Sequence, residues 1–273
     1  FLSVLLGLRW GWTELFPTTV HPKAVEGVLD LRNLNLQQTS SIPLNGVWEF
    51  LPNQLVTSDE MDRMADHITM VQVPGDWREA FPQSDSSLGY GTYRLRILVD
   101  PLERPVSLWL QNIEASSFAE INGFAEVLPG ERNIGKPADN AADYIPRRLS
   151  YTNTYMEKGM QELVVLIHAA NFENPYQGGI LQSVRFGSQA AIDTERWYSI
   201  GFQLVTFIVL LLHGIYACML YLLNRKERSL LLFSLLTLAA GLSVVADHDN
   251  IFMLWVPLNY EWALKLSLLA NLW

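Results

Sequence analysis

Apolar and polar positions alternate with period two through much of residues 17–196, then give way to long uninterrupted apolar runs. In GTYRLRILVD (91–100), Tyr93, Leu95, Ile97 and Val99 alternate with Thr92, Arg94 and Arg96, the repeat of a strand with one face toward a core. In PVSLWLQNI (105–113), Val106, Leu108 and Leu110 face one way while Ser107, Trp109 and Gln111 face the other. ELVVLIHAAN (162–171) is almost continuously apolar and rich in β-branched residues, as a central strand requires. Asn122-Gly123, between SSFAEI and FAEVL, predicts a tight hairpin, because such a turn needs positive φ at both central residues. Gly178-Gly179 and Gly187 punctuate a last strand, ILQSVRF, and only 58–67 reads as helix. Many short strands with Gly and Pro turns predict a mainly β sandwich of the jelly-roll type.

From Arg196 to Arg225 no charged residue intervenes, and SIGFQLVTFIVLLLHGIYACMLYLL (199–223) is apolar nearly throughout. A helix needs about 20 such residues to cross the hydrocarbon core. Trp197 and Tyr198 at one end and Tyr221 at the other suit the two interfacial belts. A second run, 229–246, is long enough to return. The connector NRKER (224–228) has three basic residues, whereas the next carries Asp247 and Asp249. The positive-inside rule therefore puts NRKER in the cytoplasm and the N-terminal region outside. A third apolar segment starts near 260, with Glu261 and Lys265 spaced to pair on one helical face, and stops short of a full span. The opening FLSVLLGLRWGWTELF (1–16) reads as a signal-peptide remnant or N-terminal anchor. Three regions are thus expected: 1–16, an extracytoplasmic β domain over 17–196, and the start of a multi-span membrane domain over 197–273, in a fragment of a longer protein.

Charge sharpens this division. The net charge of −9 lies entirely in residues 1–196, which hold 15 basic and 24 acidic residues. Nucleic-acid binding, which depends on neutralising phosphates, is disfavoured, and so is docking on anionic lipid. The single cysteine, Cys218, sits in the first apolar run, so neither an intrachain disulfide nor a cysteine zinc site is available.

Short motifs occur in a fixed order: V-L-D-L-R (28–32), L-N-G-V-W-E-F (44–50), V-P-G-D-W (73–77), G-Y-G-T-Y-R-L-R (89–96), E-I-N-G (120–123), A-N-F (170–172) and G-G-I (178–180). The series resembles galactose-binding-like jelly rolls, including the sugar-binding N-terminal domain of β-galactosidases and β-glucuronidases. With apolar spans directly behind it, the chain is similar over residues 25–273 to bacterial seven-transmembrane receptors with diverse intracellular signalling modules, in the subgroup with a jelly-roll outer domain. That resemblance implies a multi-pass cell-membrane receptor whose outer domain is extracellular or periplasmic. It also implies seven spans leading to a cytoplasmic output module absent from this stretch, and a homodimer.

No enzyme constellation is apparent, and neither a cofactor nor a metal is expected. The five histidines, His213 in the first span among them, lack metal-ligand spacing. Glu114 and Glu120 form a carboxylate pair only in the loosest sense. Asp139, Asn140 and Asp143 suit calcium or simply a solvated loop. A small-molecule ligand, with carbohydrate a suitable class, needs an aromatic platform ringed by polar groups. Trp77, Tyr90, Asn171, Tyr176 and Gln177 lie in loops or at strand ends, and Arg78 adds a donor for a carboxylate-bearing ligand. Trp77 suits either a core lid or a platform, and Asn171 either a ligand or turn backbone. Trp48 and Tyr93 read as core. The alternative to a receptor is a membrane-tethered carbohydrate- or protein-binding module without signalling.

Overall fold

The computed structural model describes residues 21–81, 86–111, 113–131, 134–146 and 150–246, together with Trp262 and Lys265. Most of the strands fall into two sheets packed face to face. The larger contains β3 (Gly46–Pro52), β4 (Thr69–Val73), β5 (Gly89–Leu98), β8 (Ser116–Ile121) and β10 (Glu162–Asn171) in the order β4-β3-β5-β10-β8. All pairs along it are antiparallel, and β1 (Val28–Asp30) joins β5 in parallel. The smaller sheet runs β2 (Ile42–Pro43), β12 (Arg185–Ser188), β6 (Val106–Leu110), β9 (Tyr151–Tyr155). A two-stranded ribbon of β7 (Ile113–Glu114) and β11 (Gly179–Ile180) joins the loops at one end. The fold is therefore a mostly antiparallel β sandwich.

The core is the set of inward positions. Tyr93, Leu95 and Ile97 of β5, and Leu163, Val165 and Ile167 of β10, meet Val106, Leu108 and Leu110 of β6 and Phe186 of β12, all buried. Trp48 and Tyr93 belong to this core, and the Trp48 indole donates to the Leu44 carbonyl at 3.0 Å. Glu162–Asn171 is the central strand its composition requires, flanked by β5 and β8.

The outward face of the larger sheet departs from the simple alternation. Thr92 and Arg94 are buried too, because a short helix, α1 (Ser58–Arg63), and the segment before it cover that face, packing Met61 and Val56 on Leu51 of β3 and Leu166 of β10. The α1 entrance is closed by the Thr57 amide, which donates to Glu60 at 2.9 Å. Arg94 is tolerated there because its guanidinium donates to Glu49 and Asp62, each at 2.5 Å. The Asn122-Gly123 turn has φ of 50° and 74°, as its dipeptide requires, but it closes on a single bridge, Ile121 to Phe124, rather than on a paired strand. ILQSVRF is likewise divided, between β11 and β12.

The strand β12 passes straight into α2 (Gln189–Leu223), a single helix of 35 residues, with the Ser188 hydroxyl accepting from the Ala191 amide at 3.3 Å. The boundary expected at 196/197 thus falls inside a helix that begins at Gln189. Hydropathy marks only its apolar part, while the preceding polar turns are helical as well. A tight turn at 224–227 leads to α3 (Arg228–Ala246). Both helices are long and apolar enough to cross a membrane. They pack closely where Gly214 faces Leu238 and Thr237, and the Ser234 hydroxyl donates to the Gly214 carbonyl at 2.8 Å. His213 points away from this contact and bonds the Val209 carbonyl one turn back, at 2.7 Å. The expected 1–16 segment and most of the third apolar segment lie outside the described residues.

Candidate functional site

Three loops converge at one end of the sandwich: the turn after β4, the approach to β5, and the segment between β10 and β11. Asn171, at the last position of β10, is fully buried and organises them. Its amide nitrogen donates to the carbonyls of Asn174 at 2.7 Å, Ser87 at 2.9 Å and Gln177 at 3.0 Å. Its amide oxygen accepts from the backbone N–H groups of Glu173 at 3.2 Å and Asn174 at 2.9 Å. One side chain thereby ties the β10–β11 loop to itself and to the segment that leads into β5. Asn171 is consequently a scaffold for the loops, its hydrogen-bonding capacity taken up by backbone, the turn role its sequence position also allowed.

Trp77 is also a correction. Its ring is only 1% exposed, stacks on Tyr93 with planes 5° apart, and lies 5.5 Å from both Phe50 and Phe81. Its indole N–H donates to the Ser87 carbonyl at 2.9 Å. Phe50, Phe81 and Tyr93 surround a ring with almost no exposed surface, so Trp77 is a core lid rather than an open platform. Gly178 and Gly179 are glycine for the same reason: a Cβ at Gly178 would lie 2.2 Å from the indole nitrogen, and Gly179 has φ of 86°. Tyr90 is half-buried against Phe172, which in turn meets Tyr144 edge-on at 5.2 Å. It shares the end of the sandwich but belongs to a second apolar cluster with Ala115, Ala138 and Ala170.

The remaining three predicted residues are exposed and lie together. The Arg78 guanidinium donates to the Tyr176 carbonyl at 2.5 Å and to the Ser87 hydroxyl at 3.2 Å, and contacts Asp76 at 3.4 Å. Ser87 donates in turn to Asp76 at 2.9 Å. The Tyr176 amide donates to the Asn174 side chain at 3.0 Å, so the backbone on both sides of the tyrosine is pinned. Its ring, however, is 79% exposed. Gln177 follows it on the surface. The result is a rigidly mounted aromatic face beside a guanidinium, a carboxylate and an amide. Asp76 completes this rim and the buried Ser87 supports it from below, and sequence reasoning misses both; the only signal for Asp76 is its place in the Pro-Gly-Asp turn.

The carboxylates considered for catalysis do not share a site. Glu114 is completely buried and accepts from Asn174 at 3.2 Å. Glu120 lies on the outer face of the larger sheet, beside Asn122 and Leu166, where desolvation raises its pKa above the usual carboxylate range. In the Asp139–Asp143 loop both carboxylates receive the Asn140 amide, at 2.9 and 3.0 Å, and among the described residues no cluster of three or more acidic, His or Cys side chains has metal-site geometry.

No protein-family model matches the chain, and no curated protein matches it. Among solved structures it is similar to a GH2 β-galacturonidase from Eisenbergiella tayi bound to glycerol, at 12% identity and a TM-score of 0.36, over 55% of this chain and 25% of that one. A Faecalibacterium prausnitzii β-glucuronidase matches at 10% identity and a TM-score of 0.35, over 54% of this chain and 31% of that one. A β-glucosidase from Kluyveromyces marxianus in complex with glucose matches at 16% identity and a TM-score of 0.28, over 52% of this chain and 16% of that one. The chain thus spans less than a third of the length of each.

Proposed function

We propose that this chain is the sensing part of a membrane receptor, in which a galactose-binding-like jelly roll outside the membrane binds a small ligand, a carbohydrate, at the Tyr176 rim. The observation that carries the binding site is the tyrosine itself. A ring left 79% exposed on a backbone held by Arg78 and Asn174 loses little further entropy on binding, and sugars offer C–H faces to such rings. Arg78, Asp76 and Gln177 supply polar groups around it, and the guanidinium favours a carboxylate-bearing sugar. On this reading the chain binds and does not catalyse.

The direct passage of β12 into α2 supports signalling over mere tethering, since no flexible linker separates sandwich from helix. Ligand would shift the helices between two packings only as far as it binds one of them better, typically by about 1–3 kcal/mol. A tethered module without signalling is the alternative. The basic 224–228 turn supports a cytoplasmic location for the hairpin tip and an outer location for the sandwich.

The test uses the full chain in lipid nanodiscs, titrated with neutral and carboxylate-bearing sugars. Saturable binding that weakens at least tenfold in Tyr176→Ala, with the melting temperature unchanged, is the expected result. Equal binding by the variant would remove the rim from the proposal. Orientation is checked in cells with cysteines introduced at Glu79 and at Lys226. A membrane-impermeant maleimide should label the first and spare the second; labelling at position 226 from outside overturns the topology.

A further inference from the structure

A groove of about 560 Å³ separates the segment 37–41, just ahead of β2, from the first turns of α2. Its volume falls in the range of small-molecule sites, roughly 300–1,000 Å³. The sandwich side presents Gln37, Gln38 and Ser40, and the helix side presents Thr194. The side chains of Gln37, Gln38 and Ser40 make no hydrogen bond among the described residues, so their donors and acceptors are available to a guest. The amides and the Ser40 hydroxyl both donate and accept, and the Thr194 hydroxyl, whose proton goes to the Ala190 carbonyl at 2.7 Å, can still accept; this pattern matches a hydroxyl-rich molecule.

The charges in the groove argue against an ionic guest. Arg185 and Glu195 pair with each other at 3.2 Å, and the second Glu195 oxygen accepts from the Ser41 hydroxyl. Neither charge is therefore left unpaired to attract an ionic guest. Tyr198, 76% exposed, supplies an aromatic face at the mouth, and His21 lines another edge. We propose that this groove binds a small neutral polyol of saccharide size, held between the sandwich and α2. The site is separate from the Tyr176 rim and stands whether or not the chain signals. Because one wall is β-domain and the other is helix, its occupant bridges the two.

The test titrates the full chain in nanodiscs with glucose, galactose and myo-inositol, and with glucuronate and glucosamine as charged counterparts. Ala190→Trp fills the groove from an exposed helix position without removing a core contact, and Gln38→Ala deletes one amide. The expected result is saturable binding of a neutral probe, weakened at least tenfold by each of these variants and unchanged in Tyr176→Ala. In the Tyr176→Ala background, which removes the rim, charged counterparts should bind at least tenfold more weakly than that probe. The proposal is overturned if no neutral probe saturates, if Ala190→Trp binds like the parent, or if the charged counterparts bind Tyr176→Ala more tightly than the neutral probe does. Neutral-probe binding lost only in Tyr176→Ala overturns the groove and leaves the rim standing, whereas neutral-probe binding lost only in the groove variants supports the groove and leaves the rim to be decided by the carboxylate-bearing sugars.

Discussion

Acidification should destabilise the sandwich through one residue, His168. The imidazole lies on β10, stacked on Phe118 with ring centroids 6.1 Å apart, and its Nδ1 is 3.2 Å from the Thr92 hydroxyl. That hydroxyl already donates its proton to the Gln54 carbonyl at 2.8 Å and accepts from the Val56 amide at 3.2 Å. Nδ1 must therefore be the donor, which fixes the neutral tautomer. Burial lowers the His168 pKa from 6.5 to about 4. Between these values the unfolded chain binds a proton that the folded chain refuses. Stability is therefore fully present above about pH 6.5 and is lost as pH falls toward 4. Linkage over that shift gives about 2 kcal/mol lost between pH 7 and pH 5, and about 3 kcal/mol in all. The assay is urea unfolding at the two pH values, monitored by the fluorescence of the buried tryptophans, for the parent and for His168→Gln. Every other titrating group is common to both proteins, so the difference between their pH dependences isolates His168. If the variant loses as much stability as the parent between pH 7 and pH 5, the buried-neutral assignment is wrong.

Removing the Asn171 side chain in Asn171→Ala takes the partner from the Asn174 and Gln177 carbonyls, while the Ser87 carbonyl keeps the Trp77 indole; thermal melting should show a loss of about 2 kcal/mol, at about 1 kcal/mol per hydrogen bond lost. Trp77→Ala, by truncating a core ring, should cost about 3–5 kcal/mol in urea unfolding, whereas Tyr176→Ala should lie within about 0.5 kcal/mol of the parent. In the helical hairpin, Gly214→Val places a Cβ 2.8 Å from Leu238; cysteine cross-linking between α2 and α3 near that level should drop sharply, with about 1–3 kcal/mol of overpacking.

The inward strand positions are readable because period two is a local property, and β5 and β10 carry it without ambiguity. The second buried face of β5 is not. Arg94 looks like a solvated position until Glu49 and Asp62, 45 and 32 residues away, neutralise it under α1. Trp77 illustrates the same limit for the site. A tryptophan after a Pro-Gly-Asp turn looks the same as a platform or a lid, and only the meeting of Phe50, Phe81 and Tyr93 decides between them. Arg78, Tyr176 and Gln177 stand out for their chemistry. Their junction, however, is a contact across 98 residues that no spacing rule anticipates. The start of α2 is hidden for a different reason: its opening turns are polar, and hydropathy marks membrane-scale runs rather than helices.

Those polar turns set a rotational phase between the two halves of the molecule. At about 1.5 Å per residue, the 35 residues of α2 extend about 52 Å, well beyond the roughly 30 Å of a hydrocarbon core. The surplus is a stiff shaft. One residue inserted between Ser188 and Trp197 would turn the sandwich by about 100° about the helix axis, and seven would bring it back to within about 20°. A receptor built this way should respond to insertions periodically, with function lost and regained as the shaft winds, and a tether should not notice them at all.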